Sequence, residues 1–235
     1  MELHSVSPTM VTQSSSIHVP TRRADNGAWQ RFEPAALSEV LRTVCSVNEQ
    51  LFGALVDSAR SDCTDFLLPE SIRHQVARLS SDECRRAARC GVLLSDANWG
   101  ELTDLRDEHS HEQPKVTLGS RRLWLPAYQS TSLALATLLV SWYVVHSIPA
   151  VARVFLGLTA ARVAAYRELG VGDLAKIARC HPECVRPRWS NRLDLWTHLI
   201  EGASQGVSES RSMTLRCLQA SAGESGWRAY AGSAA

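Results

Sequence analysis

The sequence predicts an all-α protein built as two similar small helical units, open to packing as a pseudo-dimer, between disordered termini. Two observations predict it. Apolar residues recur at three-to-four spacing in several segments, which marks one face of a helix. A shift of 90 positions also brings the two halves of the chain into register without a gap. The 235 residues are 45% hydrophobic and 21% charged, enough for one sizeable core or two small domains. The formal net charge is +1, so no global field draws the chain to nucleic acid or membrane. Lys115 and Lys176 are the only lysines. Arginine suits bidentate phosphate or carboxylate contacts, and a GC-rich genome that favours arginine codons gives the same bias.

Residues 1–30 are polar, with Ser14-Ser15-Ser16 and two prolines, and read as a disordered arm. Met1 to Val19 lacks a continuous apolar segment, so no secretory leader is expected. The seven cysteines are an odd number and several fall at apolar helix positions. Together these features predict a cytoplasmic, reducing setting with mostly free thiols.

The first helical unit spans 31–105. Leu37, Leu41, Val44, Leu51 and Leu55 mark one helix face. A second element is expected to end near Leu68. Pro69 starts a third, with Ile72, Val76 and Leu79 as its stripe. Ser80 and Glu83 have the spacing of a capping box, in which each side chain satisfies a backbone N–H at a helix start. Residues 106–125 read as a charged linker broken by Pro114 and Gly119. His109 and His111 lie in it beside carboxylates, but no further placed ligands point to a metal site.

The second unit spans 126–201. Leu123 to Ala152 carries no Asp, Glu, Lys or Arg. Its strongly apolar part, Leu133 to Val145, is shorter than the roughly 20 residues that cross a bilayer. Polar residues precede it, and His146, Ser147 and Pro149 follow. We therefore expect no membrane span but a helix buried on most faces, in a core or between subunits. Leu138, Leu139, Trp142 and Val145 are its candidate interface residues. Thr159 is a plausible N-cap. Val163, Tyr166 and Leu169 follow at helical spacing. Gly170 is expected to end that helix in the left-handed conformation. Gly172-Asp173 opens the next helix, with Leu174, Ile177 and Ala178 inward, and Pro182 stops it. Arg192 to Ile200 forms a last short helix with Leu195, Trp196 and Leu199 inward. Residues 202–235, rich in Ser, Gly and Ala, read as a mobile tail.

In the 90-residue register Leu68 falls on Leu158 and Leu79 on Leu169. Ala88-Arg89-Cys90 falls on Ala178-Arg179-Cys180, Trp99 on Trp189, and Asp104-Leu105 on Asp194-Leu195. Phe52 with Trp142 and Glu83 with Asp173 are conservative pairs. Two such units can pack face to face as an isologous pair does.

The stretch Leu133 to Trp189 resembles FlhD, the helical partner in the FlhD–FlhC transcription activator of bacterial flagellar genes. The resemblance lies in a leucine-rich helix, then Pro149-Ala150-Val151-Ala152 and Leu156-Gly157-Leu158-Thr159. It continues through Leu169, Leu174 and Lys176-Ile177-Ala178 to Arg186-Pro187-Arg188-Trp189, where the family alternates arginine with an aromatic. It implies an all-helical regulator that oligomerises, acts with an FlhC-like partner subunit and touches double-stranded DNA. FlhD-like and FlhC-like pairs also govern conjugative-transfer genes. The chain departs from the family in holding two units and two tails, and Pro187 interrupts the strip.

Lys176, Arg179, Arg186, Arg188 and Arg192 are the candidate nucleic-acid contacts, with Trp189 able to stack on a base. An extended strip would turn Arg186, Arg188 and Arg192 outward and Trp189 inward. The competing reading leaves these arginines in solvent or paired with Glu183 and Asp194. The Leu169 to Gly172 corner fits a helix-hairpin-helix, a helix-turn-helix reading with Asp173 to Arg179, or a purely structural turn. Cys180, His181 and Cys184 are zinc-type ligands, but a structural site needs four, so no metal is expected. No nucleophile elbow, phosphate loop or paired metal motif is present, so neither enzyme activity nor a cofactor is expected. The rival to a regulator is a helical accessory protein of a secretion or conjugation apparatus that does not bind DNA.

Overall fold

Helix α1 (Pro34–Arg60) keeps Val40, Val44, Val47, Leu51 and Leu55 on one buried face. A computed structural model of the chain describes residues 34–61, 66–97, 123–205 and 215–220, and all of them belong to one compact body. Residues 1–30 and most of the 106–125 linker, including His109 and His111, lie outside the described residues. The element expected to end near Leu68 is absent from the described part: Phe66 to Pro69 form no helix.

Pro69 precedes α2 (Glu70–Ala77) as its N-cap, and Ile72 and Val76 point inward. Helix α3 (Ser81–Ala88) opens with the expected capping box. Glu83 N–H donates to Ser80 Oγ at 3.3 Å, and Ser80 N–H donates to Glu83 Oε2 at 2.8 Å. A two-residue strand β1 (Ser95–Asp96) closes this unit.

Helix α4 (Ala127–Ser147) is the uncharged stretch, and no described helix is long and apolar enough to cross a membrane. Helix α5 (Pro149–Leu156) ends on Gly157, whose φ of 65° is the left-handed C-cap that glycine adopts without a Cβ clash. Thr159 caps α6 (Ala160–Arg167), accepting a bond from Arg162 N–H at 3.3 Å. Helix α7 (Val171–Cys180) starts after Gly170, whose φ is −84°. Gly170 is thus not the left-handed terminator expected from sequence. It is the N-cap of the next helix, its N–H donating to Asp173 Oδ2 at 2.9 Å. A short 3-10 turn (Pro182–Cys184), strand β2 (Arg186–Pro187) and α8 (Leu193–Gln205) complete the unit.

The tail expected from 202 onward begins too early. Helix α8 runs to Gln205 with Gly202 and Ala203 buried, and 215–220 is helical with Cys217 only 2% exposed. The reason is local: small side chains at 202–203 let α8 lie against α3, and Arg86 Nε holds the Ala203 carbonyl at 2.5 Å.

Among the described residues, the long helix and the helix–turn–helix corner of the two units recur in the 90-residue register. Residues 70–77 and 160–167 are α2 and α6, and α3 and α7 start at 81 and 171. The turns between them match bond for bond. Leu79 N–H donates to the Val76 carbonyl at 3.1 Å, and Leu169 N–H to the Tyr166 carbonyl at 3.2 Å. Val40, Val44, Val47 and Leu55 are buried, and so are their counterparts Ser130, Ala134, Thr137 and Val145. Long helices α1 and α4 pack against each other, and β1 pairs antiparallel with β2. In that pairing Asp96 stands opposite Arg186, its own counterpart. A residue paired with its own repeat mate is the signature of a pseudo-twofold axis, so the units pack as an isologous pseudo-dimer within one chain. They are therefore halves of one core rather than separately packed domains.

Candidate functional site

The junction between the units holds several buried polar groups that bond across it. Asn48 interrupts the apolar face of α1 yet is fully buried. Its Nδ2 donates to the carbonyls of Ala88 at 3.0 Å and Val92 at 2.8 Å, and its Oδ1 accepts from Leu94 N–H at 2.9 Å. That side chain ties the segment between α3 and β1 onto α1. Ser95 Oγ and Thr137 Oγ1 lie 2.9 Å apart, linking β1 to α4. Trp124 Nε1 donates to the Val185 carbonyl at 3.3 Å. A polar residue at a heptad-like core position was the only sequence signal for Asn48. Ser95, Thr137 and Trp124 gave none.

Arg188 lies at the centre of this junction, 3% exposed. Its backbone N–H donates to the Leu94 carbonyl at 2.6 Å. Its Nη1 reaches the carbonyls of Phe155 at 3.0 Å and Leu93 at 3.4 Å, one from each unit. Its guanidinium sits 4.5 Å from the Trp189 ring centroid. Arg188 is therefore withdrawn from the surface strip expected from sequence. The parity argument fails because the extended backbone covers only Arg186 and Pro187 before a turn begins, and Trp189 takes a φ of 54°. Trp189 is buried as expected, its carbonyl accepting from Trp196 Nε1 at 3.2 Å.

The other candidate contacts divide. Arg186 is exposed on β2, and Lys176 and Arg179 are exposed on α7. Arg192 is exposed but makes a two-pronged bond to Asp194, Nε to Oδ1 at 2.9 Å and Nη2 to Oδ2 at 2.8 Å. That fork holds the Asp194 carboxyl down at about 2. Arg192 thus follows the paired reading of the strip, not the outward-facing triad.

The candidate interface residues divide as well. Leu138 and Val145 are fully buried inside this chain, where α4 meets α1 and α7, and no partner can reach them. Leu139 and Trp142 are half-buried. Trp142 Nε1 donates to the Leu169 carbonyl at 2.8 Å, and its ring lies against His146, centroids 4.1 Å apart.

Each unit carries a helix corner of the same build: α2 and α3 joined by Arg78-Leu79-Ser80, α6 and α7 joined by Glu168-Leu169-Gly170. Basic residues stand at equivalent places: Arg86 on α3 with Lys176 on α7, and Arg89, the C-cap just past α3, with Arg179 on α7. Arg89, Lys176 and Arg179 are exposed, whereas Arg86 is partly covered by α8.

Among the described residues no group of His, Cys, Asp or Glu is arranged to hold a metal. Cys180 is exposed and Cys184 buried, and His181 Nδ1 faces Glu183 at 3.4 Å, so the three zinc-type side chains do not converge. Cys90 and Cys217 are both buried and lie within hydrogen-bonding reach. Burial pushes the Cys90 thiol up, while the bond from Cys90 and, less strongly, the Arg188 charge lower Cys217. No protein-family model, curated protein or solved structure matches the chain.

Proposed function

We propose that this chain is a subunit of a bacterial transcriptional regulator of FlhD type. It works by assembly with a partner and touches DNA at promoters of flagellar or conjugative-transfer genes. The observation that carries the reading is the pair of like helix corners related by the pseudo-twofold axis, with Arg89 and Arg179 at equivalent exposed places. Dimeric regulators present two such helices to successive turns of the duplex. Here one chain supplies both. Arg186, exposed near the axis, supplies a third phosphate contact.

The test is the salt dependence of promoter binding by the complex purified from its native cell. Changing Arg89, Arg179 and Arg186 to alanine should weaken binding similarly across sequences. It should also flatten the slope of log K against log salt by roughly 0.9 for each lost phosphate contact. An unchanged slope in a folded, assembled complex sinks the DNA contact. The burial of Arg188 and the pairing of Arg192 with Asp194 favour the rival, an accessory protein that does not bind DNA. Export or conjugation components co-purifying in place of an FlhC-like subunit would establish that rival.

A further inference from the structure

Helix α8 belongs to the second unit but lies on the first. It packs across α2 and α3. Its Trp196 ring meets Phe52 edge-on, with centroids 6.1 Å apart. Its C-terminal end is held where Arg86 Nε donates to the Ala203 carbonyl at 2.5 Å and Ser204 Oγ donates to Glu83 Oε1 at 3.0 Å.

The pseudo-twofold axis carries this seat onto the second unit. Phe52, Glu83 and Arg86 become Trp142, Asp173 and Lys176. Among the described helices none spans α6 and α7 as α8 spans α2 and α3. The difference is visible at the aromatic position: Phe52 is fully buried under Trp196, while Trp142 is only partly buried. The surroundings of Trp142 are also more apolar than their counterparts. Leu135 and Leu139 are half-buried on α4, and Val171 is 50% exposed on α7. The corresponding residues of the first unit are Cys45, Glu49 and Ser81.

The segment that the register places over this face does not match α8 in sequence. Where α8 buries Leu195, Trp196, Leu199 and Ile200, the same register gives Leu105, Arg106, His109 and Ser110. Three of the four apolar anchors are missing. Lys176 stands where Arg86 meets the last carbonyls of α8. A cation there complements the negative end of a seated helix.

We propose that the face formed by Trp142, Leu139, Val171 and Lys176 docks an amphipathic helix of a partner protein, its Trp/Leu stripe inward and its C-terminal end at Lys176. The inference rests on the reading that the chain works through a partner, and it assigns Lys176 to that partner rather than to phosphate. Arg179 and Arg186 stay with DNA.

The probe is the 13-residue α8 sequence, Leu193–Gln205. Isolated helices of this length are marginal, so it is stapled across the exposed positions 194 and 198 and labelled with fluorescein. Binding to the full-length chain, with no DNA present, is followed by anisotropy. We expect saturable one-to-one binding, weakened at least about tenfold by Val171→Glu or by Lys176→Glu, a change that is large beside an ordinary exposed contact. Ser81→Glu, the matching change on the first unit, should leave binding intact. Circular dichroism verifies that each variant stays folded, which exposure of all three positions favours. Absence of binding at millimolar peptide overturns the proposal. Binding that ignores Val171→Glu and Lys176→Glu also overturns it, because the peptide would then be replacing α8 on the first unit. Binding only after residues 103–115 are deleted would make that segment the occupant. Self-association of the chain that Val171→Glu abolishes would make a second copy the occupant. Either result overturns the assignment to a partner. Failure here leaves the salt-slope test of DNA contact standing, and failure there leaves this one.

Discussion

Replacing Arg188 by alanine tests whether the sequence strip Arg186-Pro187-Arg188-Trp189 is a surface or a brace. The guanidinium is buried and bonds one carbonyl from each unit, Leu93 and Phe155. Hydrogen bonds to a charged group contribute roughly 1.5–3 kcal/mol each, although the 3.4 Å bond to Leu93 belongs at the weak end. The cation over the Trp189 ring adds about 0.5–2 kcal/mol. Relief of the charge's own desolvation offsets part of this, because a buried cation carries a penalty of several kcal/mol. We expect a net loss of about 2–4 kcal/mol, since the buried Leu93 carbonyl loses its donor and the Phe155 carbonyl is left with Leu93 N–H at 3.3 Å. Urea denaturation of the whole chain measures it through the shift in midpoint. Arg186→Ala and Arg192→Ala, both exposed, should change stability by less than about 0.5 kcal/mol. Three arginines within seven residues should therefore separate into one large effect and two small ones. A loss under about 1 kcal/mol for Arg188→Ala, or equal losses for all three, refutes the brace.

The core of the pseudo-dimer makes a second contrast. Leu138→Ala, at a fully buried site, should cost about 2–5 kcal/mol, and half-buried Leu139→Ala clearly less, both by urea denaturation. Ser80→Ala removes the acceptor for Glu83 N–H and should cost about 1 kcal/mol by the same measurement. By carboxyl NMR Asp194 should titrate below the ordinary aspartate value of about 3.9 and move back towards it in Arg192→Ala; the pair is exposed, so solvent screening keeps the stability that goes with the shift small. Its folded pKa is depressed, so that small contribution is present above about 3.9 and is lost as pH falls through the lowered pKa.

Much of the fold was legible because the signals are local. The Ser80–Glu83 capping box, the Thr159 cap, Pro69 and the uncharged α4 each state a boundary within a few residues of chain. The repeat was legible in Leu79 with Leu169 and Ala88 with Ala178, positions where both units keep an apolar or small side chain in the same packing role. Gly170 was misread because glycine suits both a left-handed C-cap and an extended N-cap. Asp173 three residues on decided for the N-cap, as Glu83 does after Ser80. The arginine strip was misread for a longer-range reason. Whether Arg188 faces water depends on the carbonyls of Leu93 and Phe155, 95 and 33 residues away in sequence. No spacing rule reports such a partner. Leu138 and Val145 looked like an interface between chains because they are one, between α4 and α1, folded into a single chain.

Two identical copies must present identical faces, so a partner that fits one fits both. A single chain carrying both units escapes the constraint. Across the axis Phe52 answers Trp142, Glu49 answers Leu139 and Ser81 answers Val171. The buried counterparts, by contrast, keep their roles: Val44 with Ala134, Leu55 with Val145 and Ala88 with Ala178 are inward in both units. Divergence on the outside with retention inside is what selection on two different faces would leave, because core volume tolerates little change while surfaces change cheaply. In the first unit the aromatic position is sealed by the chain's own α8. In the second the same position is partly buried, and its surroundings are more apolar. The asymmetry leaves a pseudo-symmetric scaffold with one aromatic position sealed by the chain's own helix and its counterpart only partly covered.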